Sequence, residues 1–266
     1  MGKLKAAVIG CGGAGANHAA GYAMHSDVMF VGTADLDASR AQALAAKYGG
    51  KAYGSYEELI LAEQPDVVSV CTREYHHDAP AIFALRNGAH VLCEKMMAHS
   101  PEAGAAMIEA ARQSGKRLGV NYNYRFIDTV REIRKRLNTG AVGEVKTASF
   151  RVHAYCHHHA LDLIRFLFGE PDEVFAALTE IAGERNYAWD HAHELLYIPS
   201  YNEATVMRFG KMLLTLSATH RSFHYPLLEI DIAGTTGTIQ ARHMNFDSIN
   251  GTLEIRREDE NERIVP

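Results

Sequence analysis

Three glycines and one aspartate stand at spacings suited to holding a phosphate and a ribose. Gly10, Gly12 and Gly15 fall in G-x-G-x-x-G register, after an apolar stretch from Ala6 to Ile9 and before an alanine-rich segment. In such a turn the first glycine permits the tight bend, the second lets a pyrophosphate approach the backbone, and the third lets helix and strand pack closely. The helix that follows offers unpaired N–H groups and a partial positive charge to the phosphates, so Gly13 and Ala14 belong to the same cofactor-binding turn. Asp35 lies twenty residues past Gly15, at the end of a second apolar run from Met29 to Ala34. A carboxylate there accepts hydrogen bonds from ribose hydroxyls and repels a 2′-phosphate. Like charges brought together cost on the order of several kcal/mol, and no basic residue intervenes before Arg40. The pattern points to NAD over NADP. A purely structural glycine turn is the alternative, and the flanking strand, helix and acidic residue argue against it.

Two further groups could move protons. Lys95 follows Glu94 directly after the apolar run His90 to Cys93. A lysine at the end of a buried strand can be partly desolvated, which suits it to a proton relay; a surface lysine paired with Glu94 is the plain alternative. The second group is His153, Cys156, His157, His158 and His159. Their spacing matches no common zinc motif and adjacent side chains diverge, so no metal is expected. Asp162 stands three residues after His159, where a carboxylate could orient the imidazole. It is also four residues from His158 and three from Arg165, and could pair with either. Tyr124, Arg125, Tyr155, His157 and His158 are candidates for a substrate wall, and Trp189-Asp190-His191, with His193, reads as a loop.

The elements needed to position these groups alternate strand and helix over the first ~120 residues, which forces a parallel sheet. Strands are predicted at 4–9, 28–34, 67–71, 90–93 and 117–120. Ser55-Tyr56-Glu57-Glu58 is a capping box, Ser100-Pro101 opens a helix that Gly115 closes, and Gly88 ends another. Ligands on such sheets bind at the carboxyl ends of the strands. That places Thr72, Arg73, His77, Glu94, Lys95 and Asn121 beside the cofactor, with the glycine turn and Asp35. After residue 124 a helix (127–137), a strand (145–152) and a short apolar helix (158–168) lead into strands at 204–209, 212–218, 227–232, 237–241 and 253–255. The fold class expected is therefore α/β. An N-terminal Rossmann doubly wound parallel sheet (1–123) precedes a C-terminal α+β domain with a mainly antiparallel open sheet (124–266), and the ligand crevice lies between the two. Alternating apolar residues in 212–216 and 227–232 leave a sheet face to cover, which predicts a homodimer or homotetramer.

Composition sets the outer limits. The chain has 266 residues, 47% hydrophobic and 22% charged, with net charge -5. No basic block beyond Arg131 to Arg136 exists, which excludes a nucleic-acid partner. Four cysteines without a C-x-x-C pair predict reduced thiols and a cytoplasmic location. No run approaches the length of a transmembrane helix, and no signal peptide precedes the first strand.

With these motifs in order, the chain resembles the Gfo/Idh/MocA oxidoreductases, the family of glucose–fructose oxidoreductase and inositol dehydrogenase. The resemblance rests on Ala7-Val8-Ile9-Gly10-Cys11-Gly12, Thr33-Ala34-Asp35, Val70-Cys71-Thr72 with His77, and His90-Val91-Leu92-Cys93-Glu94-Lys95. Tyr124-Arg125-Phe126, His159-Ala160-Leu161-Asp162-Leu163, Phe209-Gly210 and Ile232-Ala233-Gly234-Thr235-Thr236-Gly237 extend it to about residue 241. It implies an NAD(P)-dependent dehydrogenase acting on a secondary alcohol of a sugar, sugar derivative or cyclitol. It assigns Lys95 to the substrate hydroxyl and His159 to proton exchange, with Asp162 beside it. It also leaves open an oxidative glycosidase that returns its NAD unchanged, and a non-catalytic NAD-binding sensor. Met96 stands where relatives usually have proline, and Tyr155 where many have aspartate. Relatives continue beyond the position of Pro266, so the chain reads as a short form or a piece.

Overall fold

Short apolar segments and well-capped helices alternate through the first part of the computed structural model, which describes residues 2–191, 194–219, 227–244, 250–257 and 261–264. Side chains are described except at 155, 180–191 and 194–201. The Tyr155 side chain, the side chains of Trp189, Asp190 and His191, and all of His193 therefore lie outside the described residues. The chain divides into two units, Met1–Tyr122 and Asn123–Pro266.

In the first unit β1 (Leu4–Ile9), α1 (Gly13–Met24), β2 (Val28–Ala34), α2 (Ala38–Tyr48), β3 (Lys51–Tyr53), α3 (Tyr56–Glu63) and β4 (Val67–Val70) follow one another. After them come α4 (Asp78–Arg86), β5 (His90–Cys93), α5 (Pro101–Ser114) and β6 (Leu118–Val120). The six strands are parallel in the order β3-β2-β1-β4-β5-β6. Val8, Val68, Val70 and Cys93 are fully buried, as strands covered on both faces require. The helix signals hold: the Ser55 hydroxyl accepts the Glu58 N–H at 3.1 Å, and the Ser100 hydroxyl accepts that of Ala103 at 3.2 Å. The three-residue strand β3 is too short to show any alternation. Strand order reverses between β1 and β4, and at such a switch point the chain leaves neighbouring strands in opposite directions and opens a crevice for ligands.

The second unit begins with a 3₁₀ turn (Asn123–Phe126), α6 (Asp128–Asn138), β7 (Val145–His153), a second turn (Ala154–Cys156) and α7 (His157–Phe168). Its remaining strands are β8 (Glu173–His191), β9 (Glu194–Phe209), β10 (Met212–Thr219), β11 (Leu228–Gly234), β12 (Gly237–Met244), β13 (Thr252–Arg257) and β14 (Asn261–Ile264). They form one sheet in the order β14-β13-β12-β11-β7-β10-β9-β8. Every pairing is antiparallel except β7 with β10.

Three expectations are corrected here. The segment expected to be a loop at Trp189-Asp190-His191 is the end of β8, in a long β8–β9 hairpin. The strand expected to start at Ala204 starts at Glu194. The apolar face of the sheet is already covered: Val130 and Ile133 of α6 and Leu163 and Ile164 of α7 share one core with Phe150, Leu214, Leu216, Ile230 and Ile232.

Candidate active site

The glycine turn leaves β1 at the switch point. Gly10 has φ +92°, and a Cβ on it would lie 2.7 Å from the carbonyl carbon and oxygen of Cys71, just past β4. A Cβ on Gly15 would lie 1.9 Å from the Gly10 carbonyl oxygen, so α1 can pack this close only without a side chain. Gly12 and Gly13 differ: a Cβ there would meet nothing within 4 Å. No side chain caps α1 at Gly12 and no acidic residue stands in its first turn. The result is an open backbone cradle at a helix N-terminus, which fits a pyrophosphate.

Asp35 ties this cradle to β2. One carboxylate oxygen accepts the Cys11 N–H at 2.7 Å and the other accepts the Asp37 N–H at 2.8 Å. The same residue therefore shapes the glycine turn and carries the charge expected to meet a ribose. The Cys11 thiol lies 2.7 Å from the Thr33 hydroxyl, and burial pushes its pKa up to about 11 against the opposing Thr33 contact. It is a packing group and stays protonated at neutral pH.

Glu94, at the carboxyl end of β5, turns inward. Its Oε1 lies 2.9 Å from His18 Nε2 and accepts from Asn121 Nδ2 at 2.7 Å, while Oε2 accepts the Lys95 N–H at 3.2 Å. Burial works to raise the pKa of this carboxyl, but the bonds from His18 and Asn121 prevail and hold it down at about 2. Glu94 Oε1 thus meets both Asn121 Nδ2 and His18, while Oε2 takes the Lys95 N–H. Lys95 is exposed beside them, and its peptide bond to Met96 is cis. Among the described residues the Glu94 carboxylate pairs with His18 rather than with the Lys95 ammonium.

His77 lies inside the first unit, at the turn after β4. Its ring is fully buried, with Nδ1 2.8 Å from the Met96 carbonyl and Nε2 3.0 Å from the Thr72 carbonyl. Both nitrogens stand beside backbone carbonyls, and the neutral ring donates to one of them. The Thr72 hydroxyl donates to the His76 carbonyl at 2.9 Å, and Arg73 remains at the surface.

In the second unit the histidine run opens α7. His159 is 7% exposed, and its ring lies flat on that of Tyr124, with centroids 3.9 Å apart and planes at 5°. Tyr124 is itself buried, and its hydroxyl lies 3.3 Å from the Cys156 thiol. Burial and then the Cys156 contact push the phenol well above its ordinary range. Tyr124 is therefore a packing partner of His159. The Asp162 carboxylate receives the Arg125 guanidinium through two bonds, that from Nε at 2.7 Å, and so orients Arg125. Arg125 is committed to that bidentate pair and to the Phe166 ring, 5.0 Å away. His157 Nε2 lies 2.8 Å from Glu203 Oε2, and the Thr205 hydroxyl donates to the other Glu203 oxygen at 2.5 Å. His158 leans on His159 with ring centroids 4.3 Å apart. No cluster of three metal-ligating side chains occurs among the described residues.

Residues 4–122 match the description "Oxidoreductase family, NAD-binding Rossmann fold" of the Gfo/Idh/MocA proteins. The chain belongs to the Gfo/Idh/MocA oxidoreductases. Its cofactor is NAD, in keeping with the open cradle and with Asp35. This Gfo/Idh/MocA chain is 36% identical to D-glucoside 3-dehydrogenase of Escherichia coli (strain K12) over 155 residues, covering 58% of this chain and 44% of that enzyme. It is 24% identical to 2,7-anhydro-N-acetylneuraminate hydratase of the same organism over 269 residues, covering 93% of this chain and 69% of the hydratase. The first of these matches thus spans less than half of its relative. The structure of levoglucosan dehydrogenase in complex with NADH and levoglucosan superimposes with a TM-score of 0.84 at 20% identity, covering 99% of this chain and 80% of that one. That likeness is one of fold and takes in the second unit as well as the first.

Two functional features escaped sequence reasoning. His18, Ser69 and Tyr22 form a chain onto Glu94 across sequence separations as large as 76 residues. Glu203 meets His157 from a strand whose start the pattern does not mark. The one available signal for His18 was its place on the first helix, three residues past Gly15.

Proposed function

We propose that the chain is an NAD-dependent dehydrogenase of a secondary alcohol in a sugar, sugar derivative or cyclitol. The observation that carries this reading is the pairing of an open pyrophosphate cradle at Gly12 and Gly13 with an exposed Lys95 at the carboxyl end of β5 in the same unit. Bound nicotinamide supplies the hydride acceptor or donor. The protein's own part is to hold the hydroxyl and manage its proton. Lys95 takes or returns the hydroxyl proton, and the histidine run of α7 supplies a second proton-handling group. His159, stacked on Tyr124, is the residue the family resemblance selects. His157, held by Glu203, is its rival, because a carboxylate-oriented imidazole is a suitable general base. The four cysteines are free thiols, which supports a reducing, cytoplasmic setting.

The test is NADH formation by the purified chain with methyl β-glucoside, glucose 6-phosphate, levoglucosan and myo-inositol. Accumulation of NADH with one of them, and its loss by ~10²–10⁴-fold in Lys95→Ala with NAD binding intact, is the expected result. His159→Ala is expected to match that loss; near-native rates there with a large loss in His157→Ala reassign the role to His157. The hydratase among the relatives favours a second reading, in which NAD is used and restored within one turnover. Product formation without net NADH would select it.

A further inference from the structure

We propose that His18 is a positioning residue for the turn that carries Lys95: its Nε2 holds the Glu94 carboxylate inward and so fixes the backbone from which Lys95 projects. The proposal rests on the reading of Lys95 as the group that handles the substrate proton. His18 belongs to α1, directly after the glycine turn, and its side chain is 9% exposed. One face of the imidazole meets Glu94 at 2.9 Å and the other meets the Ser69 hydroxyl at 2.8 Å, which in turn lies 2.7 Å from the Tyr22 hydroxyl. One assignment satisfies the whole series. Tyr22 donates to Ser69, Ser69 donates to Nδ1, and Nε2–H donates to Glu94. Ser69 is fully buried, so its hydroxyl has its fixed neighbours to bond and no bulk water. The tautomer of His18 is thereby set from behind, by β4, and its donor is aimed at β5.

The consequence lies at Glu94. A carboxylate taken from water needs donors. The groups that face it are His18 from α1, Cys71 after β4, Cys93 of β5, Asn121 after β6, and the Lys95 N–H. The two thiols, themselves raised by burial, stay neutral and supply no positive charge. The inward pose therefore depends on His18 and Asn121, whose donor atoms also stand 3.2 Å from each other. Without His18, Oε1 keeps one side-chain donor. The carboxylate is then free to swing outward, where the nearest cation along the chain is the ammonium of Lys95. His18 thus keeps Glu94 from neutralising the lysine that follows it.

Three substitutions separate this role from mere packing. A glutamine amide reaches about as far as Nε2 and an asparagine amide about as far as Nδ1. His18→Gln is thus expected to keep the donor to Glu94, while His18→Asn and His18→Leu lose it. The full chain, labelled at the glutamate carboxyl carbons and reductively methylated with ¹³C at its lysines, is followed by NMR, with Glu94→Gln and Lys95→Arg assigning the two signals. The Glu94 titration is expected to move up from about 2 by at least one unit, a tenfold change in equilibrium, in the leucine and asparagine variants. The Lys95 methyl signal at pH 7 is expected to shift with it, and both return in His18→Gln. On any sugar turned over by the native chain, kcat falls at least tenfold in the same two variants while the KM for NAD changes little. If glutamine and asparagine behave alike, or if the Glu94 signal moves and the Lys95 signal does not, the proposal is overturned. If His18→Leu fails to fold, the glutamine–asparagine pair decides it. If both signals respond while the native chain forms no NADH with any sugar, the positioning stands and the dehydrogenase reading falls.

Discussion

Replacing Asp35 tests two roles at once, because its two oxygens already carry backbone N–H groups before any ribose arrives. Hydrogen bonds to a charged acceptor are worth about 1.5–3 kcal/mol each. Asp35→Ala removes the bond that ties Cys11 in the glycine turn to β2, the bond to Asp37 ahead of α2, and the charge that faces the ribose. Loss of the ribose contact alone, at that magnitude, weakens NAD binding by roughly 10- to 150-fold. Loosening of the turn adds to it. NADP binding suffers the second loss but is relieved of the charge repulsion, so the ratio of the two affinities narrows. Asp35→Asn is the more revealing variant. Its single carbonyl oxygen can serve Cys11 or Asp37, while its NH₂ faces a donor, so it is expected to lose NAD affinity nearly as far as alanine despite its shape. Calorimetry with both cofactors on the native chain and both variants reads all of this. Equal native affinity for NAD and NADP, or an Asn variant that binds NAD as the native chain does, would refute the reasoning.

Gly12→Ala is expected to melt like the native chain and to lose NAD affinity at least tenfold, since its Cβ meets open space that the pyrophosphate must occupy. Gly15→Ala, with a Cβ 1.9 Å from a carbonyl oxygen, is expected to lower the melting temperature whether or not NAD is present; thermal melts with and without NAD separate the two. Glu94, whose pKa falls from 4.5 to about 2 on folding, contributes stability that is complete above pH ~4.5 and drains away as pH falls toward 2. With solvent screening allowed for, it amounts to about 2 kcal/mol; urea unfolding of native and Glu94→Gln chains at pH 7 and pH 3 should show the gap between them shrinking in acid. Phe175, Val206 and Leu213 are exposed on the sheet face away from the helices, so a homodimer is expected by light scattering at micromolar concentration and a monomer in Leu213→Glu with Phe175→Glu.

What could be seen in the sequence was whatever depends on neighbours along the chain. The glycine turn, the capped helices and Asp35 are local patterns, and the strands that carry them are continuous apolar runs. Strand β8 was invisible because Val174, Phe175 and Leu178 are exposed, so no in–out alternation marks it. The site itself was half legible. Lys95 and the histidine run are conspicuous by type, but what each side chain touches is set by residues far away. His77 is braced by a carbonyl 19 residues on. Asp162 is claimed by Arg125, 37 residues earlier, although His158, His159 and Arg165 are its neighbours on the helix. A bidentate guanidinium outcompetes a single imidazole contact, and nothing in the spacing of α7 reveals that Arg125 is within reach.

The parallel pairing of β7 with β10 at the centre of an otherwise antiparallel sheet bears on how the second unit reaches its fold. Leu213 sits opposite Thr147 and Thr219 opposite His153, so the chain must complete α7 and the whole β8–β9 hairpin before the two central strands can zip together. Closing a loop of that length precedes any reward from the contacts it makes, and such non-local parallel pairings are slow to form. Until β10 arrives, β7 has an unpaired apolar edge containing Phe150 and Val152, the kind of edge that attracts a second chain during folding. Refolding yield of the full chain should therefore fall with protein concentration, and β7 is protected only when β10 has paired with one of its edges and β11 with the other, both strands lying far along the chain from it.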